Sequence, residues 1–154
     1  MTLVDQCKLE EFLDETIKLP NCEEKTRSYI IGIFKSISTE TDFTNKSLTF
    51  ALKDAHDSMS FEGFRELGDW LFFTKSMFPK SLKGADPAYY DSIARTSYYR
   101  CFMLLNKEWL LYEELADQFP KYTQMINQSL GCAASENGLH FRFTHHGFFQ
   151  FKPY

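Results

Sequence analysis

Ser60-Phe-Glu-Gly-Phe-Arg-Glu-Leu-Gly-Asp-Trp-Leu-Phe-Phe-Thr-Lys-Ser-Met-Phe-Pro79 is the stretch that decides the fold. Ser60 is a good N-cap, and Pro79 cannot continue a helix, so the segment reads as one helix from Phe61 to about Phe78. At 100° per residue, Phe64, Leu67, Gly68, Leu71 and Phe72 form one apolar stripe. Trp70 and Phe73 fall on another side. A helix that is apolar on two sides belongs in the middle of a bundle. Gly68 costs about 1 kcal/mol against Ala in a helix interior, so its place there predicts close approach of a neighbour.

The flanks read as helices too. Towards the N-terminus, Val4, Leu9, Phe12, Leu13 and Ile17 make an apolar stripe over residues 3–18, which Pro20 ends. Asn21 is the expected N-cap of a second helix carrying Tyr29, Ile30, Ile33, Phe34 and Ile37. Thr39–Thr44 reads as a loop. Asn45 is the expected cap of a third helix bearing Leu48, Leu52 and Ala55. Towards the C-terminus, Asp86-Pro87 is an N-cap and N1 pair. It opens a fifth helix whose stripe is Tyr90, Ile93, Ala94, Ser97, Cys101, Leu104 and Leu105. Tyr98 lies at the edge of that stripe, and Asp91, Arg95 and Tyr99 make an outward ladder. A sixth helix is expected from near Lys107, with Trp109, Leu110, Tyr112, Leu115 and Phe119 on its apolar face. Pro120 either kinks it or begins a short separate helix through Leu130, and Gly131 is the expected stop.

After Gly131 the period changes. Leu139, Phe141 and Phe143 alternate with His140, Arg142 and Thr144, which is strand spacing. The expected architecture is therefore all-α, a single bundle of about six helices over residues 1–131. Residues 132–154 follow as a short β-hairpin or an extended aromatic tail. The chain of 154 residues is 17% aromatic, and six of its last 14 residues are Phe or Tyr. Phe148, Phe149, Phe151 and Tyr154 lie beyond the helices and are the expected interface residues, buried against their own chain or a partner.

Composition bounds the function. The formal charge is −4, and residues 1–60 carry the acidic excess. A nucleic-acid footprint needs clustered Lys and Arg, so a nucleic-acid partner is not expected. The N-terminal residues show neither a basic n-region nor an apolar h-region, and no apolar run approaches the roughly 18 residues of a membrane helix. The four Cys form no CxxC pair. The expected setting is cytoplasmic, with reduced thiols packed as small hydrophobes.

Three constellations carry candidate chemistry. Arg65, Glu66 and Asp69 on the central helix, with Tyr90 and Tyr98 on the fifth, could line a pocket between the fourth and fifth helices. Arg65 and Asp69 are spaced to pair, and a carboxylate there would have a shifted pKa. His140, His145 and His146 with Cys132 have the chemistry of a zinc set but the spacing of no standard finger. No nucleophile elbow, Walker loop, HExxH or GxGxxG is present. The balance leans away from an enzyme, and no cofactor is expected. Three functions follow in order: a non-catalytic protein-interaction domain, acting on a protein partner or as a homo-oligomer; a small-ligand binder or enzyme using the pocket; a metal binder using the tail.

One resemblance bears on these readings. Phe64-Arg-Glu-Leu-Gly-Asp69 with Leu71-Phe72, Phe78-Pro79, Leu82, Tyr89-Tyr90, Ser97-Tyr98, Leu111-Tyr-Glu-Glu-Leu-Ala116 and Phe119-Pro120 is similar to an uncharacterised bacterial helical family with a RELGD…FP…YY…SY…EELA pattern. The likeness spans about half the chain. It implies a helical fold and a bacterial cytosolic setting, and marks Arg65, Glu66, Gly68, Asp69, Tyr90 and Tyr98 as motif positions. Ser76-Met77 and Ala94 stand where that pattern has glycine.

Overall fold

A computed structural model describes the backbone of residues 11, 13–37, 48–82, 85–136, 139–143 and 149–153; side chains are described within these up to residue 130, save those of 37, 48, 49 and 81. Among the described residues there are six α-helices. The first, α1, is seen at residues 11 and 13–16. The others are α2 (Glu24–Ile37), α3 (Leu48–Ser58), α4 (Phe61–Met77), α5 (Pro87–Leu104) and α6 (Leu110–Glu136), with a 3-10 turn at Pro79–Ser81. Their backbone bonds and apolar faces make an all-α bundle. After α6, Leu139–Phe143 and Phe149–Pro153 pair antiparallel, with Phe141 opposite Phe151 and His140 opposite Lys152. No described helix is long and apolar enough to cross a membrane.

The central position of α4 follows from its two apolar sides. Phe64, Leu67, Trp70, Leu71, Phe72, Phe73 and Met77 are all buried. Phe73 meets Phe34 of α2 edge-on at 5.5 Å, and Phe72 meets Phe119 of α6 at 5.7 Å. Such edge-to-face pairs add about 0.5–1.5 kcal/mol each beyond the area they bury. Ser60 caps α4, its hydroxyl accepting the Gly63 N–H at 3.0 Å. Asp86 caps α5, accepting the Ala88 N–H at 2.9 Å with Pro87 in the first turn. Gly68 is where the neighbour comes close: a Cβ there would lie 2.9 Å from Tyr98 Cε1. Tyr98 is not at an edge but fully buried.

Four further sequence expectations need correction. Asn21 is not a cap; it sits in a turn with φ 66°, and α2 begins three residues later. The α6 helix starts at Leu110 rather than near Lys107, because Asn106 and Lys107 both adopt left-handed backbone (φ 57° and 62°) and delay its entry. Trp109 and Leu110 consequently face outward, 55% and 67% exposed, instead of joining the core. Finally, α6 is one helix of 27 residues that runs beyond Gly131, the expected stop; Pro120 lies inside it, so of the two alternatives no separate helix begins there. The cap expected at Asn45 and the loop at Thr39–Thr44 lie outside the described residues.

Candidate functional site

The site starts from a mid-helix carboxylate. Asp69 on α4 accepts from the Tyr98 hydroxyl of α5 at 2.9 Å. It also accepts from the Tyr29 hydroxyl of α2, at 2.9 and 3.0 Å to its two oxygens. One carboxylate therefore fastens three helices. Burial pushes its pKa up to about 7, against the pull of the two hydroxyl bonds and the nearby Arg65 charge. Desolvation wins because the donors are neutral and, among the described residues, no cation pairs directly with it. The same burial raises the Tyr29 and Tyr98 hydroxyls well above the usual phenol range, with the Asp69 charge adding to it. Cys101 lies beside this group. Its thiol points to the Phe61 carbonyl at 3.9 Å, and burial pushes it up to about 12. A thiol held that high is a poor nucleophile.

The five residues expected to line one pocket divide. Asp69 and Tyr98 come together. Arg65 turns one helical turn back and pairs with Glu62 rather than Asp69. Glu66 is exposed. Tyr90 is buried, 8 residues and about 12 Å along α5 from Tyr98. It stands at the other end of the antiparallel α4–α5 pair, where Lys75 and Asp91 meet at 3.3 Å. Tyr29 completes the cluster, and sequence reading missed it: its apolar-stripe position marked it only as core. The side chains of His140, His145, His146, Cys132, Phe148, Phe149, Phe151 and Tyr154 lie outside the described residues.

A second carboxylate falls in the Leu111–Ala116 stretch of the family-like pattern, but sequence reading gave it no role. Glu114 on α6 accepts from Thr26 Oγ1 at 2.7 Å and from the Glu23 N–H at 3.4 Å, both at the start of α2. It accepts the Tyr122 hydroxyl as well. Glu114 thus does from 88 residues away what Asn21 was expected to do locally, because the positive end of a helix attracts a carboxylate wherever it originates. Cys22 sits beside it, its thiol raised to about 11 by burial.

Two surface features remain. A groove of about 620 Å³ runs between α5 and α6, open to solvent, with Asp91, Arg95, Thr96, Tyr99, Arg100 and Met103 on one wall and Ala116, Asp117 and Pro120 on the other. The second feature is one end of the bundle. Phe61 at the start of α4 meets Tyr112 in the first turn of α6 at 5.7 Å, and its carbonyl takes the Cys101 thiol of α5. The chain entering α4 and the α5–α6 connection therefore share this end. It carries exposed Met59, Met103, Trp109 and Leu110. Among the described residues no group of three or more His, Cys, Asp and Glu is placed to hold a metal ion.

No family model matches this chain, and neither a curated protein nor a solved structure resembles it detectably.

Proposed function

We propose that this protein is a non-catalytic interaction domain that self-associates through the apolar end of its bundle. The observation that carries the reading is the exposure of Trp109 and Leu110 beside Met59 and Met103. Leaving a Trp and a Leu in water forgoes about 1.5–3 kcal/mol each, which burial in an interface recovers. Trp and Met are enriched in interfaces, and a two-fold self-complementary contact is the commonest closed arrangement. The site chemistry points the same way: Cys101 is a weak nucleophile, and the oxygens of Asp69 already receive hydroxyls from the protein's own helices.

The domain works in the cytoplasm on this reading, and its likeness to the bacterial helical family belongs to the same proposal. The C-terminal Phe cluster would pack as a hairpin on the bundle or on the partner. A second reading, ligand binding at Asp69, draws on the near-neutral pKa of that carboxyl. Metal capture by the tail histidines is the third. Light scattering over a wide concentration range tests the first. Wild type should rise above monomer mass, and Trp109→Ser/Leu110→Ser should stay monomeric with unchanged helicity. A wild type that remains monomeric throughout sinks the reading.

A further inference from the structure

We propose that the α5–α6 groove is a binding site for an acidic peptide segment, with Arg95 and Arg100 as its cation pair and Pro120 as the residue that positions Arg95. This site meets the apolar end only at Met103, and its charged residues do not depend on self-association.

The α6 helix lacks one backbone donor on the groove wall. Pro120 lies inside α6 and has no backbone N–H. In an α-helix that N–H would serve the carbonyl four residues earlier, so the Ala116 carbonyl has no helical partner. Ala116 is buried, and a buried orphan carbonyl costs about 1–3 kcal/mol. Arg95 supplies the missing donor: its Nε bonds to the Ala116 oxygen at 2.9 Å. One edge of the guanidinium is thereby pinned to the groove wall, and the two Nη groups remain for a ligand. A pinned guanidinium has already lost much of the side-chain freedom that a free surface Arg would lose on binding.

The surroundings select the ligand. Asp91 is engaged by Lys75 across the α4–α5 interface, so it does not neutralise Arg95. Among the described residues neither Arg100 nor Asp117 has a partner. Taken together, Lys75, Asp91, Arg95, Arg100 and Asp117 leave one positive charge in excess, on a chain whose formal charge is −4. The complementary ligand is anionic. Tyr99 and Met103, exposed on the same wall, offer apolar contact between the charges. Arg and Tyr are the residue types most often found at binding hot spots. Shape separates a peptide from a small molecule: a trough this open cannot enclose most of a compact ligand, but it fits a chain lying along it.

The test uses the full-length protein and fluorescence anisotropy. The probe is a fluorescein-labelled peptide of alternating Glu and Leu, compared with its Gln-for-Glu and Lys-for-Glu versions. The Glu peptide should bind, more weakly as salt rises, and the other two should not. Arg100→Gln should weaken binding about threefold, the size of one exposed ion pair. Asp117→Asn should tighten it, a gain that mere structural damage does not produce. Pro120→Ala returns an N–H to the Ala116 carbonyl and frees Arg95, so it should weaken binding while leaving thermal stability equal or higher. Trp109→Ser/Leu110→Ser should bind like wild type, which separates this site from the self-association face. The proposal is overturned if folded wild type does not bind the Glu peptide, if the Gln peptide binds equally well, or if Arg100→Gln and Asp117→Asn change nothing.

Discussion

Asp69 and Glu114 are the same functional group in two settings. Each accepts a tyrosine hydroxyl, and each ties α2 to a later helix. Glu114 sits at the N-terminal end of α2, where the helix dipole and a backbone N–H favour negative charge. Asp69 sits in the middle of α4, with two phenols as its only hydrogen-bond donors among the described residues. Hydroxyls can orient a carboxylate, but they do not repay its loss of water. That is why burial dominates at Asp69 and lifts its pKa to about 7. Partner count is therefore a poor guide to what a buried acid costs; what the site offers in place of lost water decides.

Several experiments break or sharpen this contrast. The largest effect is expected at Asp69→Ala. It leaves the Tyr29 and Tyr98 hydroxyls without their acceptor and opens a cavity, for a loss of about 3 kcal/mol in urea denaturation. Next is the pH dependence. The Asp69 pKa is raised on folding, so its contribution is fully present below the ordinary aspartate value of 3.8 and is lost as pH rises through about 7. The drop should be on the order of 4 kcal/mol over the whole window, of which about 2 kcal/mol falls between about pH 5.5 and 8. Asp69→Asn should flatten stability across that window, and a slope equal to wild type would show that another group is responsible. Gly68→Ala should come third. Helix propensity gains about 1 kcal/mol, but the new methyl would sit 2.9 Å from a Tyr98 ring that Asp69 holds in place, and overpacking costs about 1–3 kcal/mol. A net loss of about 1 kcal/mol is expected, vanishing in the Tyr98→Phe background if the hydroxyl bond is what keeps the ring from moving aside. The smallest effect is expected at Glu114→Gln. The amide keeps an acceptor for Thr26 but loses the charge at the helix end, for about 0.5 kcal/mol. A loss as large as that of Asp69→Ala would erase the distinction between the two sites.

Much of the fold was legible where the signal is local. Ser60 and Asp86-Pro87 mark helix starts because a cap bonds within three residues of itself. The two apolar sides of α4 announce a central helix, and Gly68 announces a close neighbour. Long-range pairings left no such trace. Tyr29 and Asp69 are 40 residues apart, and Thr26 and Glu114 are 88. Asp69 stands out as a charge on a central helix, but nothing near Tyr29, Thr26 or Glu114 says which side chain each one meets. Pro120 signals either a kink or a new helix because a proline normally forfeits a helix bond; Arg95, 25 positions earlier, replaces that bond. The outward turn of Trp109 and Leu110 depends on two left-handed residues in succession, which apolar periodicity does not register.

The opposite fates of the two tryptophans have a practical consequence. Trp70 is 7% exposed within α4, whereas Trp109 is 55% exposed at the bundle end, and the chain has no third. The protein thus carries two native fluorophores in unlike surroundings. Emission from Trp109 should be red-shifted and open to quenching by iodide, and Trp70 should be blue-shifted and shielded. Loss of the quenchable fraction would report a covered bundle end while the shielded fraction reports intact packing, so association and unfolding can be followed separately in one unlabelled sample.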